Sequence, residues 1–477
     1  MRALAILATV CVTSSAFAQG AAAPKGRCKF IFENTPTTTL QTFQLPSKQY
    51  NSFIGQGVIA RCPSQGLVLK SDSLEVYGDD GRYFFIGHVD YKDAKRITLK
   101  SDFLTYFQRE ERLLAIGQAV EATMPTGSTM KGTSLEYFRV IPKVRLQPKV
   151  IAITRPTITL VEKDAQGKAQ PPVTVTANTV VMEGDSLVSA VGNVIVVRPE
   201  LTATGDSLYL DSGKGMLRIM RNPKIVGTKG RPFTLVGETI DLLSRQKKLE
   251  RVLAKSKAEA ESEDLKLKSD TIDMRVTNDL LQRAIAWGKN RATATSQSQT
   301  VVSDSIDVVM PGQRMKEMHA IRKASAEGMP DTTKFKTKER DRLLGDTIHA
   351  VFETLAAGDS AKPRIKSLLA IGDASSLQHL APRDTACHLP AINYVKGRTI
   401  EVAFEAAVIS KVVIKDTAAA TGTMIQPDST CNGTLGKDAK AAPPPAPAGT
   451  TPPRSPAATS TPPVAKPEDT IVHARPS

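Results

Sequence analysis

The stretch Leu69-Lys-Ser-Asp-Ser-Leu-Glu-Val76 returns in related forms about every thirty residues over most of the 477-residue chain. Aligning the copies on their acidic residue defines one acidic slot per repeat, occupied by Asp72, Asp102, Thr133, Asn178, Asp206, Glu238, Asp270, Asp304 and Asp346. A fixed period in this range indicates one supersecondary unit repeated, each unit burying its apolar face against its neighbours. The sequence therefore predicts a repeat protein.

Apolar and polar residues alternate within each copy, as Leu74 and Val76 alternate with Ser73 and Glu75. A period of two places the apolar set on one face of a β-strand. A second run of glycine and small apolar residues follows, such as Ala190-Val-Gly-Asn-Val194, and the turn between the runs often carries Gly and Asp. Each unit is predicted to be strand, turn and strand, and the whole chain a stack of antiparallel hairpins.

The first eighteen residues have the parts of a secretory signal, namely Arg2, an apolar run from Ala3 to Val12, and a small-residue site ending at Ala18. The run is too short to remain as a membrane span, so we expect cleavage after Ala18 and an exported, soluble protein. The net charge of +15 predicts an anionic partner. Export, and the small aromatic content available for base stacking, argue against nucleic acid as that partner.

Four cysteines remain after the signal, and they cluster near the two ends of the chain. In an exported protein an even number of cysteines permits disulfides, and we predict Cys28 with Cys62 and Cys387 with Cys431. A zinc site is the competing interpretation, but no pair has the C-x-x-C spacing of a structural site. We predict no metal and no cofactor.

Composition also divides the chain into segments. The repeats are interrupted once, by a segment that either separates two subdomains or projects as a loop from one continuous stack, and the C-terminal tail is too poor in apolar residues to fold. The predicted segments are a signal peptide at 1–18, an N-terminal lead segment at 19–44, repeats at 45–142, a strand and loop insertion at 143–172, further repeats at 173–436, and a Pro/Ala/Thr-rich disordered tail at 437–477.

Two segments rich in Ala, Lys and Glu, at 245–264 and 315–328, favour helix by propensity alone. Both occupy the position of the second strand in their repeat, and residues 255–262 alternate between charged and small side chains. We therefore predict strands in both places.

The repeated form apolar-x-(Ser/Gly)-Asp-(Ser/Thr)-(Leu/Ile), followed by an Ala-x-Gly-x-(Ala/Val) strand, resembles the OstA-like family, the periplasmic lipopolysaccharide-transport proteins of the LptA kind. The segments Tyr50-Asn-Ser-Phe-Ile-Gly-Gln-Gly-Val58 and Gly372-Asp-Ala-Ser-Ser-Leu-Gln378 also resemble that family, and the similarity covers residues 45 to 415. The resemblance implies an all-β fold in which the antiparallel hairpins stack into a twisted, open-ended β-jelly roll. This chain has more repeats than the short family members, and it lacks the long alternating barrel strands of the outer-membrane translocon.

The same resemblance implies a periplasmic protein that binds lipopolysaccharide or a related glycolipid and forms part of a bridge carrying it from the inner to the outer membrane. The implied partners are the glycolipid and other jelly-roll proteins of the bridge at the two membranes. Head-to-tail self-association through exposed strand edges is a further expectation. Association of the chain with the outer membrane stays open.

The apolar residues of the repeat strands are the candidate lipid-binding residues. An open trough lined by them would hold acyl chains at about 0.8 kcal/mol per buried methylene, whereas a closed core would make the chain a non-catalytic β-solenoid scaffold or adhesin of the cell envelope. The candidate trough residues are Leu74, Val76, Leu104, Leu135, Leu208, Leu210, Ile240, Leu242, Ile272, Ile306 and Val308.

A run of alternating cations is the candidate site for head-group phosphates, because alternate spacing places them on one face of an extended segment. The run consists of Lys334, Lys336, Lys338, Arg340 and Arg342. A solvated loop is the simpler interpretation of the same residues.

The acidic slot is open to a catalytic or calcium-binding interpretation. Calcium-binding repeats need several oxygen ligands and a glycine in one short loop, whereas here one Asp per copy is replaced by Thr133 and Asn178. A side chain that accepts hydrogen bonds from local backbone at a strand corner explains these substitutions. The six histidines are scattered without a nucleophile or ligand motif, so we predict no enzyme; a polysaccharide-acting enzyme would need carboxylates converging on a cleft.

Overall fold

Antiparallel β-strands make up most of the residues that the structure describes. The computed structural model describes residues 29–34, 36–93, 96–161, 163, 167–296, 299–330, 332–333, 335–353, 363–383, 387–405, 408–415 and 420–427. Within these ranges the only helical element is a 3₁₀ turn at Pro311–Gln313, and no helix is long and apolar enough to cross a membrane. The all-β prediction is confirmed, while the signal peptide and the tail lie outside the described residues.

Groups of short strands and groups of long strands follow one another along the chain. The N-terminal strands are β1 (Ile31–Asn34), β2 (Thr39–Gln44), β3 (Tyr50–Gly55), β4 (Val58–Cys62), β5 (Leu67–Ser71) and β6 (Ser73–Tyr77), followed by the longer β7 (Arg82–Asp93), β8 (Ile97–Phe107), β9 (Arg112–Thr123) and β10 (Thr129–Phe138). Four short strands follow: β11 (Lys149–Ile153), β12 (Thr157–Leu160), β13 (Val173–Thr176) and β14 (Thr179–Glu183).

Long strands predominate toward the C-terminal end. The next strands are the long β15 (Leu187–Val197) and β16 (Leu201–Asp211), and the short β17 (Met216–Met220), β18 (Lys224–Gly227), β19 (Phe233–Val236) and β20 (Thr239–Arg245). The last are β21 (Lys248–Ser262), β22 (Lys266–Thr277), β23 (Leu280–Thr295), β24 (Gln299–Val309), β25 (Glu317–Gly328), β26 (Asp341–Phe352), β27 (Ile365–Leu380), β28 (Ala391–Glu405), β29 (Val408–Lys415) and β30 (Thr421–Ile425).

Each long strand shifts register near its middle, and its two halves pair in two different walls. In β7, residues 82–86 pair with β6 and residues 90–93 pair with β5, with the irregularity between Ile86 and Val89. We call the wall built on β2, β3 and β6 wall 1, and the wall built on β1, β4 and β5 wall 2. Where a long strand is missing, two short strands replace its halves, one in each wall.

The predicted insertion at 143–172 is part of this stack. Its β11 pairs with β10 and β14 in wall 1, and its β12 pairs with β10 and β13 in wall 2. Strand pairing is therefore continuous across the insertion, which joins the two sets of repeats rather than separating subdomains. The lead segment likewise contributes β1 and β2.

Register decides the structure of the two Ala- and Lys-rich segments. Both form long strands, β21 and β25, as their place in the repeat predicts. The final hairpin, in which β28 pairs with β29, also forms. Helix propensity is a weak effect of well under 1 kcal/mol per residue, and the unpaired edges of neighbouring strands outweigh it.

The inner faces of the two walls pack into one hydrophobic core. Large side chains such as Leu208 and Ile272 lie on the Asp-bearing strands, whereas Ala190, Ala286 and Ala370 occupy the strands between them, and all are at most 2% exposed. Alternating large and small strands let side chains interdigitate at the density of a protein interior.

The acidic slot lies at the corner where the strands pass from one wall to the other. The carboxylate Oδ2 of Asp102 accepts a hydrogen bond from the backbone N–H of Gln118 at 2.8 Å, and Oδ2 of Asp270 accepts one from Asn290 at the same distance. The predicted role as a backbone acceptor is thus confirmed for these two carboxylates. These hydrogen bonds are exposed to solvent, so each is expected to contribute about 0.5–1.5 kcal/mol to stability.

The glycine of each Ala-x-Gly strand faces a slot side chain, which occupies the space of the missing side chain. A Cβ on Gly117 would lie 2.6 Å from Oδ2 of Asp102, and one on Gly192 would lie 2.6 Å from Nδ2 of Asn178. Gly192 also has a φ of +81°, in the left-handed region that favours glycine. The acidic slot and the glycine of the following strand therefore pack against each other and form the corner together.

Gly192→Ala should lower the free energy of unfolding by about 1–3 kcal/mol, because it adds both backbone strain and a clash with Asn178. Urea denaturation measures this loss. Gly132→Ala is the control: Gly132 lies within β10, but its nearest side-chain atom would be 3.4 Å away, on Pro156, and its φ is not positive. Equal losses in the two variants would contradict the corner mechanism.

Candidate functional site

The candidate trough residues all lie on the inner faces of the walls. All of them are at most 6% exposed, apart from Val76, which is partly buried against the same core. This exposure is that of a closed core, because side chains lining an open trough would be accessible to water. The protein's own side chains thus fill the interior at these positions, in contrast to the expected open trough.

Near the N-terminal part of the stack, a buried ion cluster joins the outer edges of the two walls. Arg139, which is 6% exposed, donates from Nη1 to Oε2 of Glu111 at 2.5 Å in wall 1, and its Nη2 lies 3.8 Å from Oδ2 of Asp93 in wall 2. Tyr106 also donates to Glu111, at 2.9 Å, and burial raises the pKa of its hydroxyl. Removing one member would leave a buried charge unpaired.

Near the C-terminal part of the stack, a cavity of about 320 Å³ lies between the walls. This volume is at the lower end of the range for small-molecule sites, and most of the lining is apolar. The apolar lining includes Ala326 and Leu343 from wall 2 and Leu368, Val402 and Phe404 from wall 1.

Three polar side chains of the cavity lack hydrogen-bond partners among the described residues. They are Oγ of Ser376 and the amide oxygens of Gln378 and Gln299. Ser376 and Gln378 are only 1% and 3% exposed. Because an unpaired buried polar group costs about 1–3 kcal/mol, these atoms suit a ligand that carries hydrogen-bonding groups beside its apolar part.

A histidine and an aspartate form the fixed polar end of the cavity lining. Oδ1 of Asp341 lies 2.9 Å from Nδ1 of His379 and accepts the backbone N–H of His379 at 2.8 Å, while Nε2 of His379 lies 3.2 Å from Glu339. Burial raises the pKa of Asp341, and the bonds from His379 oppose that shift. No sequence signal links Asp341 and His379, which meet only because β26 pairs with β27.

Cations lie in the segment between two residues of the cavity lining, Phe335 and Asp341. Lys336, Lys338 and Arg340 are exposed on the segment that leads into β26, and Phe335 at its start is buried in the cavity lining. Arg342 also lines the cavity and pairs with Glu327 at 3.0 Å. The segment is not a strand before Asp341, so the predicted extended face is only partly formed; Lys334 lies outside the described residues.

Two of the predicted cysteine positions carry disulfides. Cys62 and Cys387 are each disulfide-bonded, and each is at most 1% exposed. Their predicted partners, Cys28 and Cys431, lie outside the described residues, so the pairing stays a prediction.

One group of metal-ligating side chains was missed by the sequence analysis. Within the part of the chain that the structure describes, Glu317, His319 and His349 bring three potential ligand atoms within 4.8 Å of one another. They lie on the outer face of wall 1, because their neighbours Met318 and Ala320 point into the core.

Gln378→Met should raise the free energy of unfolding of the unliganded protein by about 1 kcal/mol, because it removes the unpaired amide oxygen while keeping the volume. Urea denaturation of the two proteins tests this. Gln118→Met, on the exposed outer surface, is the control and should leave stability unchanged. A loss of stability in Gln378→Met would mean that its amide has a structural role.

No family model matches the sequence, and no curated protein matches it either. The functional conclusion therefore depends on the fold, the cavity and the residues that line the cavity.

Proposed function

We propose that the chain is a periplasmic carrier of lipopolysaccharide or a related glycolipid, acting in a β-jelly-roll bridge between the inner and outer membranes. The observation that carries the proposal is the cavity between two apolar walls, which is lined by polar atoms without partners among the described residues and by the cation Arg342. An acyl chain, a sugar or amide group, and a phosphate would each find its complement there. The OstA-like repeat pattern supports the same function.

Lipid enters where the walls are already apart. An acyl chain in the cavity contacts Leu368, Val402 and Phe404, and each methylene removed from water contributes about 0.8 kcal/mol. A cavity of about 320 Å³ holds part of one chain, so further insertion has to separate the walls. Since the walls meet through apolar side chains, lipid replaces one apolar contact by another, with little net change in buried apolar area.

The ion cluster of Arg139, Glu111 and Asp93 opposes such separation in the N-terminal part, because opening would expose or unpair buried charges. We infer that glycolipid binds and leaves at the C-terminal part.

A scaffold function is the second candidate, and the closed core is the observation that favours it. Leu208, Ile240 and Ile272 are at most 2% exposed, as in a β-solenoid that carries no ligand. The two functions differ in whether lipid ever reaches these side chains.

Ala326→Phe should weaken binding of fluorescently labelled lipopolysaccharide at least tenfold, because the ring occupies the cavity that Ala326 lines. Fluorescence anisotropy with the purified chain measures the affinity. Ser325→Phe adds the same ring to the outer side of the same strand and should bind as the unaltered protein does. Equal lipid affinity in the two variants would show that lipid does not bind in the cavity.

Photocrosslinking in cells separates the two candidate functions. A photoreactive residue is placed singly at Leu343 in the cavity, at Ile240 and Ile272 in the closed core, and at Ser207 and Thr239 as outward controls. We expect glycolipid adducts at Leu343, and adducts at the core positions as well because lipid passes between the walls. Absence of adducts at all three inner positions, with folded protein at normal levels, would favour the scaffold.

A further inference from the structure

A cluster of two histidines and a glutamate lies on the outer face of wall 1, away from the cavity. His319 on β25 and His349 on β26 are direct cross-strand partners in the register of the sheet. Glu317 precedes His319 by two residues on β25, so it points to the same side. The two histidines are thirty positions apart in the sequence and meet because β25 and β26 are neighbouring strands of wall 1.

The three side chains converge on one point. Oε2 of Glu317 lies 3.6 Å from Nε2 of His319 and 3.7 Å from Nε2 of His349. The two imidazole rings are stacked, with centroids 4.3 Å apart and planes 8° from parallel. Their side chains are 33% and 29% exposed, so small rotations can turn both ring edges toward a common ion.

The free atoms of the cluster are those that a metal would use. Nε2 of His349 is buried and has no hydrogen-bond partner among the described residues, although it faces Glu317. Lys316 lies 3.4 Å from Oε1 of Glu317, which leaves Oε2 for a ligand.

We propose that Glu317, His319 and His349 form a binding site for one Zn²⁺ ion. Two imidazole nitrogens and one carboxylate oxygen are a usual zinc donor set, with water completing a tetrahedral shell. The ion would fasten β25 to β26 on the outer face of wall 1. The other halves of these two strands, in wall 2, carry Ala326 and Leu343 of the cavity, so the metal would hold one side of the cavity in place.

The inference is independent of lipid binding, and metal titration tests it directly. The purified full-length chain is stripped with EDTA and titrated with Zn²⁺ against a chromophoric chelator. We expect one tight site per chain, and a rise in the thermal unfolding temperature on Zn²⁺ addition. In His319→Gln and in His349→Gln, the zinc affinity should fall at least tenfold, and the rise in unfolding temperature on Zn²⁺ addition should vanish.

Matched controls separate a metal site from general binding to histidines. His88→Gln removes an exposed imidazole that pairs with Asp72 at the corner, and this variant should keep the full zinc affinity. Circular dichroism of the metal-free variants checks that each is folded. Unchanged zinc affinity in His319→Gln and His349→Gln, or the same loss in His88→Gln, would overturn the proposal and leave Glu317, His319 and His349 as a stacked polar cluster.

Discussion

The structure depends on the contact between the slot side chain and the glycine that faces it. Asp102 fills the space beside Gly117 and accepts the N–H of Gln118, which lets the strand turn from one wall into the other without an unpaired donor. Because the corner is repeated, neighbouring strands bend at the same level of the sheet. One half of each long strand therefore lies in wall 1 and the other half in wall 2. Without the corner, the alternating pattern alone would build one continuous twisted sheet.

The interior differs between its two ends although the repeat is the same. In the N-terminal part Arg139 links Glu111 to Asp93 across the walls, and buried charges of this kind hold surfaces together because each is costly to unpair. In the C-terminal part, Oγ of Ser376 and the amide oxygen of Gln378 line the cavity and have no partner among the described residues. Unsatisfied groups of this kind are commoner where a ligand completes them, and they support the carrier function proposed for that end.

Much of the fold could be predicted from the sequence, because period and spacing reflect local geometry. The repeat indicated hairpins, the substitution of Asn178 for Asp indicated a backbone acceptor, and register correctly outweighed helix propensity in β21 and β25. The closed core could not be predicted, because alternation shows which side chains face inward but not how far apart the walls stand. The cavity, and the meeting of Asp341 with His379, depend on pairing between distant residues, which single-sequence patterns do not reveal.

Each strand half pairs with the next one in its own wall, separated along the chain by at most one pair of strands in the other wall. A chain built in this way needs no contact between its two ends to form any part of the stack, so loop-closure entropy stays small at every step. It can therefore fold progressively, one hairpin after another. For the same reason its unfolding is expected to proceed in stages, with the ion-linked part outlasting the part that contains the cavity.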